Sequence, residues 1–187
     1  QYFAKLDILD EMGERFLAYS DTMGIQVTRQ SKRIESLVIV LFEFDSDFPA
    51  SKFLETRVEY VARRFISRAE KMNTEVTAMV AGHTDSIGPE YDNIALSQNR
   101  AERELNNLRR YMIYLLELDS QEKLDNWLAE RNVSLKAKGY GESEPYEILR
   151  WTGDTVERVL LGDNSNPEGR TVNRRVLLEL ESTKNKE

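Results

Sequence analysis

The stretch Gly82–Ala101, GHTDSIGPEYDNIALSQNRA, decides how this chain is read. It follows Glu75–Ala81, a short β-rich run with Val76 and Val80 apolar, and it opens on turn-forming residues from Gly82 to Pro89. A helix is expected to begin near Asp92, with Ile94, Ala101, Leu105, Leu108, Met112 and Leu115 at helical spacing along its buried side. A strand thus delivers a tight loop carrying the carboxylate Asp85, and fifteen residues later the helix presents Arg100. Leu96 and Arg100 lie four residues apart and share a face offset from the apolar stripe, which leaves Arg100 free to face a ligand. An Asp and an Arg a few ångströms apart suit a zwitterion. The planar guanidinium makes two parallel bonds to a carboxylate, and Asp85 takes the ammonium. The same residues also suit a plainer arrangement, in which Asp85 caps its loop and pairs with Arg100 at the surface.

Upstream, Ala50–Lys71 reads as a helix with Phe53, Val58, Val61, Phe65 and Ile66 near one face. Before it, Ile25–Thr28 and Ile34–Phe44 read as strands around the polar turn Arg29–Arg33. Residues 2–23 place Phe3, Leu6, Leu9, Phe16, Tyr19 and Met23 at intervals that suggest an amphipathic helix, capped at Gly24. Downstream, Val133–Gly139 reads as a strand, with Gly139 and Gly141 bracketing Tyr140, and Arg175–Leu180 as the last strand. Two stretches look inserted: Leu118–Asn132, amphipathic around Leu124, Trp127 and Leu128, and Tyr146–Pro167, a long connection. The order strand, helix, strand, helix, strand, strand predicts an α+β fold, a two-layer sandwich with a mixed sheet and helices on one face, preceded by the N-terminal helix.

Composition narrows the function classes. The 187 residues hold 26 basic and 33 acidic side chains, a net charge of −7, which argues against a nucleic-acid partner. Cysteine is absent, which removes disulfides, thiol nucleophiles and thiolate metal sites. Histidine occurs once, at His83, and in such a turn it reads as structural, since no activated Ser or Cys partner can be named. No metal, cofactor or catalytic residue is expected. The longest apolar run, Leu37–Phe42, is far short of the roughly 20 residues a membrane-crossing helix needs. The chain opens at Gln1, so it reads as a processed or trimmed product, and membrane contact is expected only through an anchor outside it.

Three motifs in order, GHTDSIGPEYDNIALSQNRA, GYGESEP at Gly139–Pro145 and NPEGRTVNRRV at Asn166–Val176, make the chain resemble the OmpA-like peptidoglycan-binding domain. That family is shared by C-terminal domains of outer-membrane OmpA proteins, peptidoglycan-associated lipoproteins and MotB-type stator proteins. The resemblance covers roughly Leu37 to Leu180 and implies a βαβαββ sandwich. It implies that Asp85 and Arg100 grip the diaminopimelate of the stem peptide, that Asn93 and Arg174 line the same pocket, and that Thr84 and Leu96 neighbour it. By the FDSD segment, Phe44–Asp47, it places Asp47 at the rim. The implied partner is peptidoglycan, and the implied location is the periplasm or cell envelope of a Gram-negative bacterium, with a homodimer or larger envelope complex compatible. The expected domains are residues 1–36, an N-terminal helix and strand extension; 37–182, the OmpA-like domain with insertions near 118–132 and 146–165; and 183–187, a tail.

Two other functions compete. A cell-wall hydrolase would need an acid/base pair or an activated nucleophile, and of the acidic residues only Asp85 has motif support, with an Arg as its partner. A protein-interaction module of a motor, secretion or signalling complex would use the N-terminal helix and the insertions as docking surfaces around a gated or vestigial pocket. Trp127 and Trp151, one in each insertion, read first as core packing and second as sugar-stacking residues. Arg63, Arg64 and Arg68 read as a solvated helix face.

Overall fold

Short apolar-rich segments form the first elements. KLDIL alternates over Lys5–Ile8 and RFLAY is a short run of apolar and aromatic residues after Arg15; they form the strands β1 (Lys5–Leu9) and β2 (Arg15–Tyr19). These pair antiparallel, with Leu6 opposite Ala18 and Ile8 opposite Phe16. Within the helix expected over 2–23, the described residues 5–9 and 15–19 form a strand pair instead. Spacings of four fit a strand as well as a helix, and Leu6 and Ile8 are two apart, so short blocks do not separate the two periods. The computed structural model describes residues 5–9, 15–19, 33–42, 53–71, 75–153 and 155–183. The expected strand Ile25–Thr28, the Gly24 cap and the FDSD segment with Asp47 lie outside these. The chain divides into two units, Gln1–Gln30 with Lys186–Glu187, and Ser31–Asn185.

The second unit carries the sandwich. In chain order it contains β3 (Arg33–Leu41), α1 (Phe53–Lys71), β4 (Glu75–Gly82), α2 (Glu90–Leu115), α3 (Gln121–Glu130), β5 (Val133–Gly139), β6 (Glu147–Thr152), β7 (Thr155–Leu160), α4 (Pro167–Asn173) and β8 (Arg175–Thr183). Four of these strands form one mixed sheet in the order β3-β8-β4-β5. β8 runs antiparallel to β3 and β4, while β4 and β5 are parallel. Parallel neighbours need a crossover, which α2 and α3 supply. The fold is the expected α+β sandwich.

The core lies between sheet and helices. Val76, Ala78 and Val80 of β4 and Val176, Leu178 and Leu180 of β8 are buried at alternate positions, against Val61 and Phe65 of α1 and Leu108 and Met112 of α2. Each large apolar side chain buried this way contributes about 1.5–3 kcal/mol. Both apparent insertions are structured. Residues 118–132 hold α3, N-capped by Ser120 and docked through Leu124 and Leu128. The long connection folds into the β6–β7 hairpin, closed at Gly153 with φ +67°, a conformation suited to a two-residue hairpin turn. It then enters α4, where the Asn166 side chain accepts from the Gly169 amide at 2.7 Å and Pro167 opens the helix. Trp127 packs against the core, whereas Trp151 is 73% exposed on the hairpin.

Two glycines bring α2 to the sheet. Gly82 and Gly139 face each other across the β4–β5 ladder, and Gly82 also pairs with Val176 of β8. A Cβ on Gly82 would sit 2.1 Å from the Ser97 carbonyl oxygen, and one on Gly139 would sit 2.4 Å from the Gln98 amide nitrogen. Only bare backbone allows this approach. It sets the second turn of α2 against the ends of three strands, the place from which the loop His83–Pro89 departs.

Candidate functional site

The loop after β4 is held from both sides. The His83 amide donates to the Arg175 carbonyl at 2.9 Å and the Thr84 amide to the Gly141 carbonyl at 2.9 Å, so β8 and the turn after β5 fix its path. His83 is 1% exposed and its ring stacks on Tyr140, with centroids 5.4 Å apart. Burial holds its imidazole down at about 3, and the nearby Arg175 guanidinium adds to the effect, so the ring is neutral at physiological pH. This agrees with a structural residue.

Asp85 is 3% exposed and caps its own loop, accepting from the Ile87 amide at 3.1 Å. Its other oxygen accepts from Arg174 Nη1 at 2.7 Å. The carboxylate expected to pair with Arg100 is thus engaged by Arg174, the residue between α4 and β8. Arg174 is itself fixed: its Nε donates to the Phe42 carbonyl at 3.1 Å and its Nη2 to Thr171 Oγ1 at 3.0 Å.

Arg100 is 1% exposed, its guanidinium centred 4.4 Å over the Phe42 ring. The expected helix face needs correction here. The buried side of α2 includes Asn93, Ser97, Arg100 and Glu104 beside Ala101 in its first half and is apolar from Leu108 onward, whereas Ile94, expected in the core, is 45% exposed. Of these polar residues, Asn93 and Arg100 line a cavity at the strand ends, and Ser97 bonds to the turn after β5.

That cavity has a volume of about 320 Å³ and is lined by Thr84, Asp85, Asn93, Leu96, Arg100 and Arg174 together with Ile87, Gly88, Pro89 and Asp92. Every expected pocket residue among those described therefore meets in one place. Two carboxylates and two guanidiniums face it, a balance that suits a ligand bearing both signs. Among the described residues, the buried Thr84 Oγ1 has no hydrogen-bond partner, which leaves it for a ligand.

Asn93 is tied into the structure: its Nδ2 donates to Glu142 Oε2 at 2.7 Å and to the Asp85 carbonyl at 3.2 Å. Ser97 Oγ accepts from the Gly141 amide at 2.9 Å and Gln98 Oε1 from the Gly139 amide at 2.7 Å. Arg175, buried at 3% exposure, stacks over Tyr146 and donates to the Glu144 carbonyl at 3.0 Å, fixing the GESEP segment. Burial lowers its guanidinium to about 10, still charged at neutral pH. Sequence reasoning did not single out Asp92, Glu142 or Arg175. Asp92 had a signal, a carboxylate in the first helical turn beside the pocket motif; Glu142 and Arg175 had none beyond their motifs.

Among the described residues no group of three or more His, Cys, Asp or Glu could hold a metal, and no helix is long and apolar enough to cross a membrane. No family model matches the chain. It is 28% identical over 149 residues to outer membrane porin F of Pseudomonas aeruginosa, covering 80% of this chain and 33% of that protein. It is 33% identical over 118 residues to outer membrane porin F of Pseudomonas fluorescens, covering 63% and 25%. The chain spans a third or less of these relatives. Among solved structures it is similar to the peptidoglycan-associated lipoprotein from Burkholderia pseudomallei, with 21% identity, 78% of this chain, 88% of that chain and a TM-score of 0.45. It is also similar to the periplasmic domain of Helicobacter pylori MotB, residues 90–256, with 22% identity, 86%, 78% and a TM-score of 0.48. The motifs and the sheet order agree with the fold that the resemblance implies.

Proposed function

We propose that this OmpA-like domain binds peptidoglycan noncovalently and anchors an envelope protein or complex to the cell wall. The observation that carries the reading is the cavity at the strand ends, where Asp85, Arg100 and Arg174 face one another with Asn93, Thr84 and Leu96. Diaminopimelate ends in an ammonium and a carboxylate on one carbon. The Arg100 fork takes the carboxylate, prepositioned by Phe42, and Asp85 takes the ammonium while sharing its carboxylate with Arg174. Ligand and site then exchange charges of opposite sign within a buried pocket, where such pairs are worth more than at an open surface. Thr84 Oγ1 adds a hydrogen bond to the peptide.

No bond is made or broken. The carboxylate at the centre of the cavity is salt-bridged to Arg174, so it is committed to holding charge in place rather than to passing a proton. We assign wall binding to residues 37–182, a span that falls within the Ser31–Asn185 unit. Location in the periplasm follows from this function.

Co-sedimentation with purified peptidoglycan tests the reading. Wild type is expected in the pellet, and Asp85→Ala and Arg100→Ala in the supernatant. Pelleting that neither substitution reduces refutes the clamp, and soluble muropeptides released by the wild type would indicate a hydrolase.

A further inference from the structure

The arginines of α1 form more than a solvated face. Tyr60, Arg63, Arg64, Ser67, Arg68 and Lys71 recur at intervals of three and four, which puts them along one side of the helix, and together they line a cavity of about 560 Å³. It belongs to the same unit as the pocket described above and shares no residue with it.

Two of the guanidiniums are held in place from the sheet. Glu35 of β3 reaches up between them, with Arg64 on Oε1 and Arg68 Nη2 on Oε2 at 2.8 Å. The carboxylate is only 18% exposed and stands on a strand, so it fixes both forks without filling the cavity. The Glu35 carboxyl lies below its ordinary range: hydrogen bonding and charge from these two arginines outweigh the opposing effect of burial. Arg63 pairs along the helix with Glu59 at 2.8 Å, an exposed contact of little strength. Four cations thus face two carboxylates, a local charge of +2 on a chain whose net charge is −7.

We propose that this cavity on the outer side of α1, with Arg64 and Arg68 oriented by Glu35 and flanked by Arg63, Lys71 and the hydroxyls of Ser67 and Tyr60, is a second binding site, for a phosphate group. A lone carboxylate would be satisfied by one fork. A phosphate presents several oxygens and up to two charges, which matches two pre-oriented guanidiniums, an ammonium and two hydroxyl donors. Glu35 gives the site its order, since arginines that already share a partner lose less freedom on binding. The same phosphate chemistry is offered by a lipid headgroup and by a soluble phosphoryl compound.

Calorimetric titration with inorganic pyrophosphate and flotation with phosphatidylcholine vesicles, with and without phosphatidylglycerol, test the site and separate the two sources. Saturable pyrophosphate binding supports a soluble phosphoryl ligand; flotation only with phosphatidylglycerol, without pyrophosphate binding, supports a headgroup. In whichever arm binds, Arg63→Gln/Lys71→Gln is expected to weaken affinity roughly tenfold, because these side chains leave the Glu35 clamp intact. The control pair Arg110→Gln/Lys136→Gln removes the same charge elsewhere and is expected to change affinity less than about twofold. Asp85→Ala is expected to leave it unchanged. Binding in neither arm, or an equal loss in the control pair, overturns the proposal.

Discussion

Replacing Arg174 by Ala severs the contact on which the geometry of the pocket depends. Its guanidinium donates to Asp85 at 2.7 Å, to the Phe42 carbonyl at 3.1 Å and to Thr171 at 3.0 Å. The pair is largely removed from solvent, with side-chain exposures of 13% for Arg174 and 4% for Asp85. A surface ion pair would be worth less than about 1 kcal/mol, but stranding a buried carboxylate costs about 3–5 kcal/mol. Of this, about 2 kcal/mol belongs to the charged hydrogen bond itself, and the rest to the two carbonyl and hydroxyl contacts and the exposed cavity wall. For a domain of this size the loss lowers Tm by roughly 10 °C. A double-mutant cycle on Asp85→Ala and Arg174→Ala, measured by urea unfolding, isolates the pair. A coupling energy of about 2 kcal/mol is expected, and one below about 0.5 kcal/mol would refute a desolvated Asp85–Arg174 pair at the centre of the site.

His83 is the sole histidine, so its ring resonances can be followed by proton NMR without assignment. They are expected to stay unshifted through pH 6.5 and to move only near about 3. Because the folded value lies below the unfolded one, stability is full above about pH 6.5 and is lost as the pH falls toward 3; a histidine midpoint near 6.5 in the folded protein contradicts its burial. Burial raises the Glu104 carboxyl, so its charged form weakens the fold as pH rises above the ordinary carboxylate range. Glu104→Gln is expected to raise stability at pH 7 by roughly 1 kcal/mol in urea unfolding and to flatten its dependence on pH. Gly139→Ala drives a methyl into the backbone of α2 and is expected to cost about 3 kcal/mol or more, measured by thermal unfolding, with loss of wall binding as α2 shifts. Arg100→Lys keeps the charge but not the fork, and should abolish co-sedimentation without lowering Tm by more than a few degrees.

Much of the sandwich is legible in the sequence where a period persists over many residues. Val133–Gly139 is a strand at the residues expected, and Glu75–Ala81 extends by one residue to Gly82. The N-terminal segment was misleading because five-residue strands are too short for a two-residue repeat to stand out against a helical one. The β6–β7 hairpin hid in a long connection because its signal is local, a glycine at 153 between runs whose exposed apolar residues, Leu149 and Trp151 among them, do not alternate cleanly with polar ones. At the site, motif resemblance brought together residues scattered from Thr84 to Arg174, and the cavity gathers them. Chain spacing could not reveal that Asp85 is held by Arg174 rather than serving Arg100 alone, since that pair joins residues 89 positions apart. Nor could it foresee a buried helix stripe that is polar at one end, because hydrophobic periodicity reads burial as apolar.

The most direct test of the account is calorimetric titration of two stem peptides that differ only at the third residue, one carrying meso-diaminopimelate and the other lysine. Lysine keeps the ammonium for Asp85 but lacks the carboxylate for Arg100. The account predicts saturable binding of the diaminopimelate peptide, at least about tenfold weaker binding of the lysine peptide, and no difference between the two once Arg100 is replaced by Ala. Equal affinity of the wild-type domain for both peptides would contradict it.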